Sequence, residues 1–291
     1  MKGLIQLLVV FSILVCAAPA RAQEAHQLTE RAVETAPVEN KIAWTLIAGG
    51  VLNTGNTESW SINSGTNLQL IRGRHALLAE AAFNTAAANI VDTAAGTETG
   101  YQTNARNLNS RVRYDFFFTP FDAAYVSVRH RWDTFVGLDT RLQNQFGYLR
   151  NFFRQDKHRF WGEVGYDLTY DNLDPDPLRD PADPLDGIDN DMDGDIDEIL
   201  DGTEVVHAGR LYLGYMNRLN EHVLFETGAE ALFNFQVGND IRFNYDARIL
   251  ATLAARLQLE LRFRLQYDNV PVPQKERLDT TSIANLIVTL I

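Results

Sequence analysis

The chain has 291 residues, 45% hydrophobic and 22% charged, with a formal net charge of -12. That length suffices for one large domain or two small ones. The acidic balance, with no concentrated basic patch, excludes a nucleic-acid partner, and the single cysteine, Cys16, excludes a disulfide framework.

In chain order, the first element is a secretory signal over residues 1–22. Lys2 supplies the positive end, Leu4 to Ala18 the apolar core, and Ala20-Arg21-Ala22 a small-x-small cleavage site. Cleavage after Ala22 removes Cys16. It leaves a polar periplasmic tail over 23–41, with weak helical spacing at Leu28, Ala32 and Val33. No later segment holds the roughly 18 apolar residues of a membrane helix.

From residue 42 the pattern has period two, the period of a strand with one apolar face. In RLQLELRFRLQYD, one face carries Leu257, Leu259, Leu261, Phe263, Leu265 and Tyr267, and the other Gln258, Glu260, Arg262, Arg264 and Gln266. About twelve such segments follow one another: 42–53, 57–71, 75–88, 104–118, 121–133, 139–153, 158–171, 204–217, 221–235, 240–252, 256–268 and 278–291. Most are longer than the roughly 5–6 residues of globular strands, as a tilted bilayer-crossing strand must be. The third, HALLAEAAFNTAAA, has helical propensity but sits among strands. The eighth alternates poorly around Ala208-Gly209.

The connections sort by parity. Short ones fall near Arg72–Arg74, Thr119–Pro120, Arg154–Lys157, Arg218–Asn220 and Leu253–Ala255. Long ones span Asn89–Thr103, Asn172–Thr203 and Val270–Leu278. Short turns at one end and long loops at the other predict an all-β, up-and-down antiparallel transmembrane β-barrel over 42–291.

The first hairpin reads AWTLIAGGVLNTGNTESWSINSGTNLQL, and the chain ends LQYDNVPVPQKERLDTTSIANLIVTLI. A glycine-rich strand, an NTGNT turn, a Ser/Asn strand and a late D-N-x-P-V-P loop with a D-T-T restart together resemble the salt-induced outer-membrane protein family. That family is also catalogued as a domain of unknown function. The resemblance runs from about Ala43 to Ile291. It implies a cell outer-membrane barrel, a link to salt stress, and no catalytic residues. The last strand departs from barrels that end in an aromatic residue: it alternates Ile283, Ile287 and Ile291 with Asn285 and Thr289 between them.

The long loop 172–203 carries about twelve acids against Arg179 alone, so most of the net charge sits in this insertion. Within it, DGIDNDMDGDIDE places Asp189, Asp191 and Asp193 at positions one, three and five of a cation loop. Gly194 stands at six, Asp195 at seven, and Asp197 follows. Alternating carboxylates around a turn-forming glycine suit calcium, a hard ion taking six to eight oxygens. The twelfth position is Leu200, so Glu198 and Asp201 are the candidates for the closing ligand. Prolines at 175, 177, 181 and 184 prevent a preceding helix. The alternative is a solvated acidic loop with no ion.

On the strands, Arg111, Arg113, Arg129, Arg131, Arg242, Arg248, Arg262 and Arg264 alternate with apolar residues and are expected in the lumen. So are Asp115, Glu163, Asp167, Glu226, Glu230, Asp246 and Glu260. Mixed signs favour an ion-paired filling over an open pore for small solutes. His75, His130, His158, His207 and His222 fall at strand ends or on the apolar face, and no H-E-x-x-H or phosphate loop occurs, so no enzyme is expected. Trp44, Trp60, Trp132 and Trp161 are expected as membrane-interface anchors. The reading is a monomeric outer-membrane barrel meeting lipid and the barrel assembly machinery, with an envelope-structural or small-solute channel role. A barrel hydrolase acting on lipid or peptide, or a soluble periplasmic β-protein, stands as the alternative.

Overall fold

The alternation becomes twelve antiparallel strands in a computed structural model, which describes residues 40–53, 59–92, 97–133, 138–173, 203–269 and 277–290. They are β1 (Lys41–Asn53), β2 (Ser59–Arg72), β3 (His75–Asp92), β4 (Thr97–Phe117), β5 (Asp122–Asp133), β6 (Leu138–Arg154), β7 (His158–Leu173), β8 (Thr203–Arg218), β9 (Val223–Asn234), β10 (Ile241–Ala254), β11 (Leu257–Asp268) and β12 (Leu278–Thr289). Each pairs with its sequence neighbours, and β1 pairs with β12, so the sheet closes into a barrel without edges. The closing ladder is short, running from Thr45↔Thr289 to Ala48↔Leu286.

One end of the barrel, the turn end, holds the start of β1, the end of β12 and the short connections. Local chemistry makes these turns. Gly73 takes φ 55° between β2 and β3, a left-handed conformation that glycine adopts without steric cost. The Thr119 hydroxyl accepts the backbone N–H of Phe121 at 3.1 Å and of Asp122 at 3.0 Å. The Asn220 side-chain oxygen Oδ1 accepts those of His222 at 2.8 Å and Val223 at 2.9 Å.

The opposite, loop end departs from expectation at one connection. The segment Asn89–Thr103 was read as a long loop, but β3 runs on to Asp92 and β4 starts at Thr97. The ladder continues to Asp92↔Thr97, with register shifts between Ala86 and Ala87 and between Asn89 and Val91. Bulges of this kind bend a hairpin without ending it, and alternation broken at a bulge reads as loop.

The two faces are inverted relative to a soluble protein. Ile62, Val112, Val126, Val128, Phe146, Val164, Leu211 and Leu213 point outward and are 42–55% exposed. Arg111, Arg113, Asp115, Asp167, Arg210 and Glu260 point inward and are at most 1% exposed. A soluble barrel would put the apolar face inside, where water is excluded. An apolar outer band around a polar interior is the distribution of a transmembrane barrel. The fold is therefore a closed twelve-stranded antiparallel barrel of outer-membrane type, and the soluble alternative does not fit it.

Trp44, 41% exposed, donates its indole N–H to Thr66 Oγ1 at 2.8 Å on the outer surface. Also outside, His75 Nδ1 lies 2.6 Å from the Tyr114 hydroxyl and His158 Nδ1 lies 2.9 Å from that of Tyr215. Trp161 corrects the expectation of four interface anchors: it faces the lumen and is 3% exposed. Its odd number puts it on the same face of β7 as Arg159 and Glu163, since side chains alternate. Parity also turns Ile283, Asn285 and Ile287 inward, while Leu286 and Val288 face outward.

Candidate functional site

Among the described residues, the two halves of the lumen differ. Near the turn end it holds an apolar cluster: Ile71, Ala76, Leu78, Phe117, Ala123, Tyr125, Leu149, Trp161, Tyr212 and Met216, with Leu224 packed against it. These residues come from strands β2 to β9, so the cluster spans the bore.

Three of its aromatic side chains lie over glycines of other strands. A methyl group at Gly214 on β8 would overlap the Trp161 ring from β7, and one at Gly228 on β9 would overlap the Tyr212 ring from β8. Gly147 and Gly165 leave the same room for the Tyr125 hydroxyl, which would lie 3.0 and 2.5 Å from a Cβ there. The missing side chains let each aromatic residue pack close against the inner wall. Trp161 and Tyr212 sit 6.2 Å apart between centroids, tilted by 39°.

Against this cluster lies a bridge of charges. The Arg113 guanidinium donates to Asp115 at 2.8 Å and to Glu163 at 3.0 Å. Arg210 donates to Glu163 at 2.6 Å, to Glu230 at 2.5 Å and to the Tyr125 hydroxyl at 2.9 Å. Arg113 sits on β4 and Glu163 on β7, while Tyr125 sits on β5 and Arg210 on β8, so both contacts cross the bore. The cations also cover the rings: Arg113 lies 4.3 Å from the Tyr125 centroid and Arg159 4.6 Å from that of Trp161. Charges this buried persist only when paired and hydrogen-bonded.

A second network lines the wall of β9 to β12. Arg248 pairs with Glu226 and, at 3.2 Å, with Glu260. Glu260 also accepts from Arg262 at 2.9 Å and Asn285 at 3.0 Å. Arg111 pairs with Glu80 at 2.7 Å on the opposite side, where Asn67 donates to the same carboxylate at 2.6 Å.

The loop-end half is not filled. It holds a recess of about 200 Å³ lined by arginines 129, 131, 141, 242 and 277, with Glu230, Asp268, Asp279 and several amides. Contacts here are looser. Arg242 lies 3.5 Å from both Asp240 and Asp268, and Arg129 donates to the neutral Gln143 amide oxygen at 3.2 Å. Arg141 and Arg131 are the exceptions, held by Asp171 at 2.6 and 2.5 Å and by Asp133 at 3.1 Å.

All eight arginines and seven acids expected in the lumen have inward parity. Arg141, Arg159 and Arg210 were missed. For Arg210 a signal existed: the stretch after it, LYLGYM, is apolar at both parities, the mark of a strand covered on both faces. The histidines lie outward or at strand ends. The proposed calcium ligands, Asp189, Asp191, Asp193, Asp195, Asp197, Glu198 and Asp201, lie outside the described residues. Among the described residues, no group of three or more His, Cys, Asp or Glu is placed to hold a metal ion.

Residues 46–290 match the family described as "Protein of unknown function, DUF481". The chain belongs to that family. This agrees with the resemblance carried by the two end motifs. Comparison of the DUF481 chain with curated proteins returns no match. Among solved structures it is similar to the COG4313 outer-membrane channel of Pseudomonas putida F1, at 8% identity and TM-score 0.47, covering 90% of this chain and 100% of that one. It is also similar to the NanC porin, at 8% identity and TM-score 0.42, covering 85% and 97%. A third likeness is to the translocator domain of the autotransporter NalP of Neisseria meningitidis, at 10% identity and TM-score 0.40, covering 85% and 86%. Likenesses this distant say nothing about what the DUF481 chain binds or conducts.

Proposed function

We propose that this protein is delivered by its cleaved signal segment to the outer membrane, where it stands as a closed, monomeric barrel with an envelope-structural role. The observation that carries this reading is the double seal across the turn end. Tyr125, Trp161, Tyr212 and Leu149 fill the bore, and the Arg113–Glu163–Arg210–Glu230 bridge crosses it. A diffusion pore needs a continuous polar path, and an apolar layer denies it to hydrated solutes. Conductance of the refolded protein in planar bilayers tests the reading. The expected result is a baseline without steps for the native chain and discrete steps for Trp161→Ala; steady large conductance in the native chain would overturn it.

A second reading, gated passage of small solutes, has one observation in its favour. The Trp161 indole N–H is buried with no hydrogen-bond acceptor among the described residues, so displacing the ring forfeits no hydrogen bond of its own. Voltage- or solute-triggered steps in the native chain would favour this reading.

The spacing from Asp189 to Asp201 supports a calcium-stabilised loop on the cell exterior, at the affinity of extracellular modules, roughly 10⁻⁴ to 10⁻³ M. Limited proteolysis of the folded protein tests it. Cleavage within 172–203 should slow on adding millimolar calcium and return with chelator; equal cleavage in both would remove the ion from the account.

A further inference from the structure

We propose that the loop-end recess is a binding site for a neutral sugar of one ring. The site lies beyond the seal and needs no passage through it, so it does not depend on conduction.

The charges of the recess are matched. Five arginines line it together with the carboxylates of Glu230, Asp268 and Asp279. Behind them, Asp133 holds Arg131 at 3.1 Å, Asp171 holds Arg141 at 2.5 Å, and Asp240 stands 3.5 Å from Arg242. Five cations therefore meet six carboxylates. An anion would compete with carboxylates already in place, and a cation with guanidinium groups. A ligand without charge competes with neither.

The hydrogen-bonding capacity is not matched. Asn109 lines the recess and is 3% exposed, and its Nδ2 has no acceptor among the described residues. Arg242 Nε and Asp240 Oδ1 are likewise buried there without a hydrogen-bond partner. Asp240 and Arg242 line a small cleft that shares Thr169 and Leu232 with the recess, so these atoms surround one continuous region. Leaving a buried polar group unbonded costs about 1–3 kcal/mol. A hydroxyl both donates and accepts, so a ligand with several hydroxyls serves the unused donors and the unused acceptor together. The terminal torsion of an asparagine is broad, which lets Asn109 turn either amide atom toward the opening.

Size narrows the class further. The recess holds about 200 Å³, below the roughly 300–1,000 Å³ of sites for drug-sized ligands. A single sugar ring suits that volume, with Leu232, the one aliphatic lining residue, against its C–H face.

Saturation-transfer NMR titration of the full chain, refolded in detergent, tests the site with glucose, galactose and mannose. Dioxane, a ring that accepts hydrogen bonds but donates none, and glucuronate, a hexose ring with a carboxylate, are the controls. At least one hexose is expected to saturate a single site, with no transfer from dioxane and no tighter binding of glucuronate. Raising salt to physiological strength should leave the hexose affinity unchanged, because no ligand charge is screened. Asn109→Leu should weaken binding about tenfold while leaving urea unfolding unchanged or later, since it removes a buried unpaired amide. The methyl glycoside of the bound hexose separates two sources. Equal binding admits the sugar residues of a glycan, and loss on methylation confines the site to free sugars; both accord with the proposal. No transfer from any hexose, equal transfer from dioxane, tighter binding of glucuronate, loss of hexose binding with salt, or unchanged affinity in Asn109→Leu overturns it. Should Asn109→Leu fail to refold, Asn109→Ala takes its place, and the panel on the native chain decides in any case. Conductance plays no part in this readout, so its failure is distinct from failure of the closed-barrel reading.

Discussion

The turn-end and loop-end halves of the lumen use the same side chains for opposite ends. Near the turns, Arg113 and Arg210 are locked to carboxylates at 2.5–3.0 Å and capped by aromatic rings. Near the loops, Arg242 stands 3.5 Å from each of two carboxylates beside open volume. The difference teaches that an arginine in a barrel lumen is not itself evidence of a pore or a plug. What decides is whether aromatic residues and glycines on adjacent strands bring carboxylates within bonding distance across the bore. At the turn end they do, and the wall closes on itself.

The strongest way to break this contrast is to remove the shared acid. Glu163→Leu leaves Arg113 and Arg210 buried beside an apolar group, which should cost about 3–5 kcal/mol. Urea unfolding in detergent micelles measures it, and a loss below about 1 kcal/mol would show the bridge to be dispensable. Trp161→Ala should cost a similar or smaller amount, about 3–5 kcal/mol at most, by leaving a cavity. It differs by also opening the bore to ions, which planar-bilayer recording detects. Leu211→Arg on the lipid face sharpens the inside–outside comparison. An arginine at mid-membrane should cost about 2–4 kcal/mol, although arginine is the common residue one face away. Insertion into vesicles, followed by the gel shift between unheated and boiled samples, measures that loss. The smallest effect is expected at the loop-end rim. Arg277→Gln should move stability by no more than about 0.5 kcal/mol, because the residue is exposed. A large loss there would mean that the recess is built as tightly as the seal.

Much of the architecture was legible because strand pleating is local. Twelve segments, the parity of turns and loops, and the facing of Arg262, Glu260 and Arg248 follow from counting in twos. The same counting would have placed Trp161 inside had parity been weighed above residue type. The extension of β3 to Asp92 and of β4 back to Thr97 was missed because its bulges interrupt the count. The acidic loop carries its ion reading on spacing alone.

The sequence by itself determined which residues face lipid and which face the lumen, because a side chain's face depends only on its own strand. Closure of the barrel decided the rest. Strand tilt and stagger set which lumen residues stand level with each other. That is why Arg113 meets Glu163 and Arg210 meets Tyr125 from strands that are not neighbours. It is also why glycines at 147, 165, 214 and 228 lie under aromatic residues. No local pattern encodes a contact across the bore, so the seal and the recess became visible only in the tertiary structure.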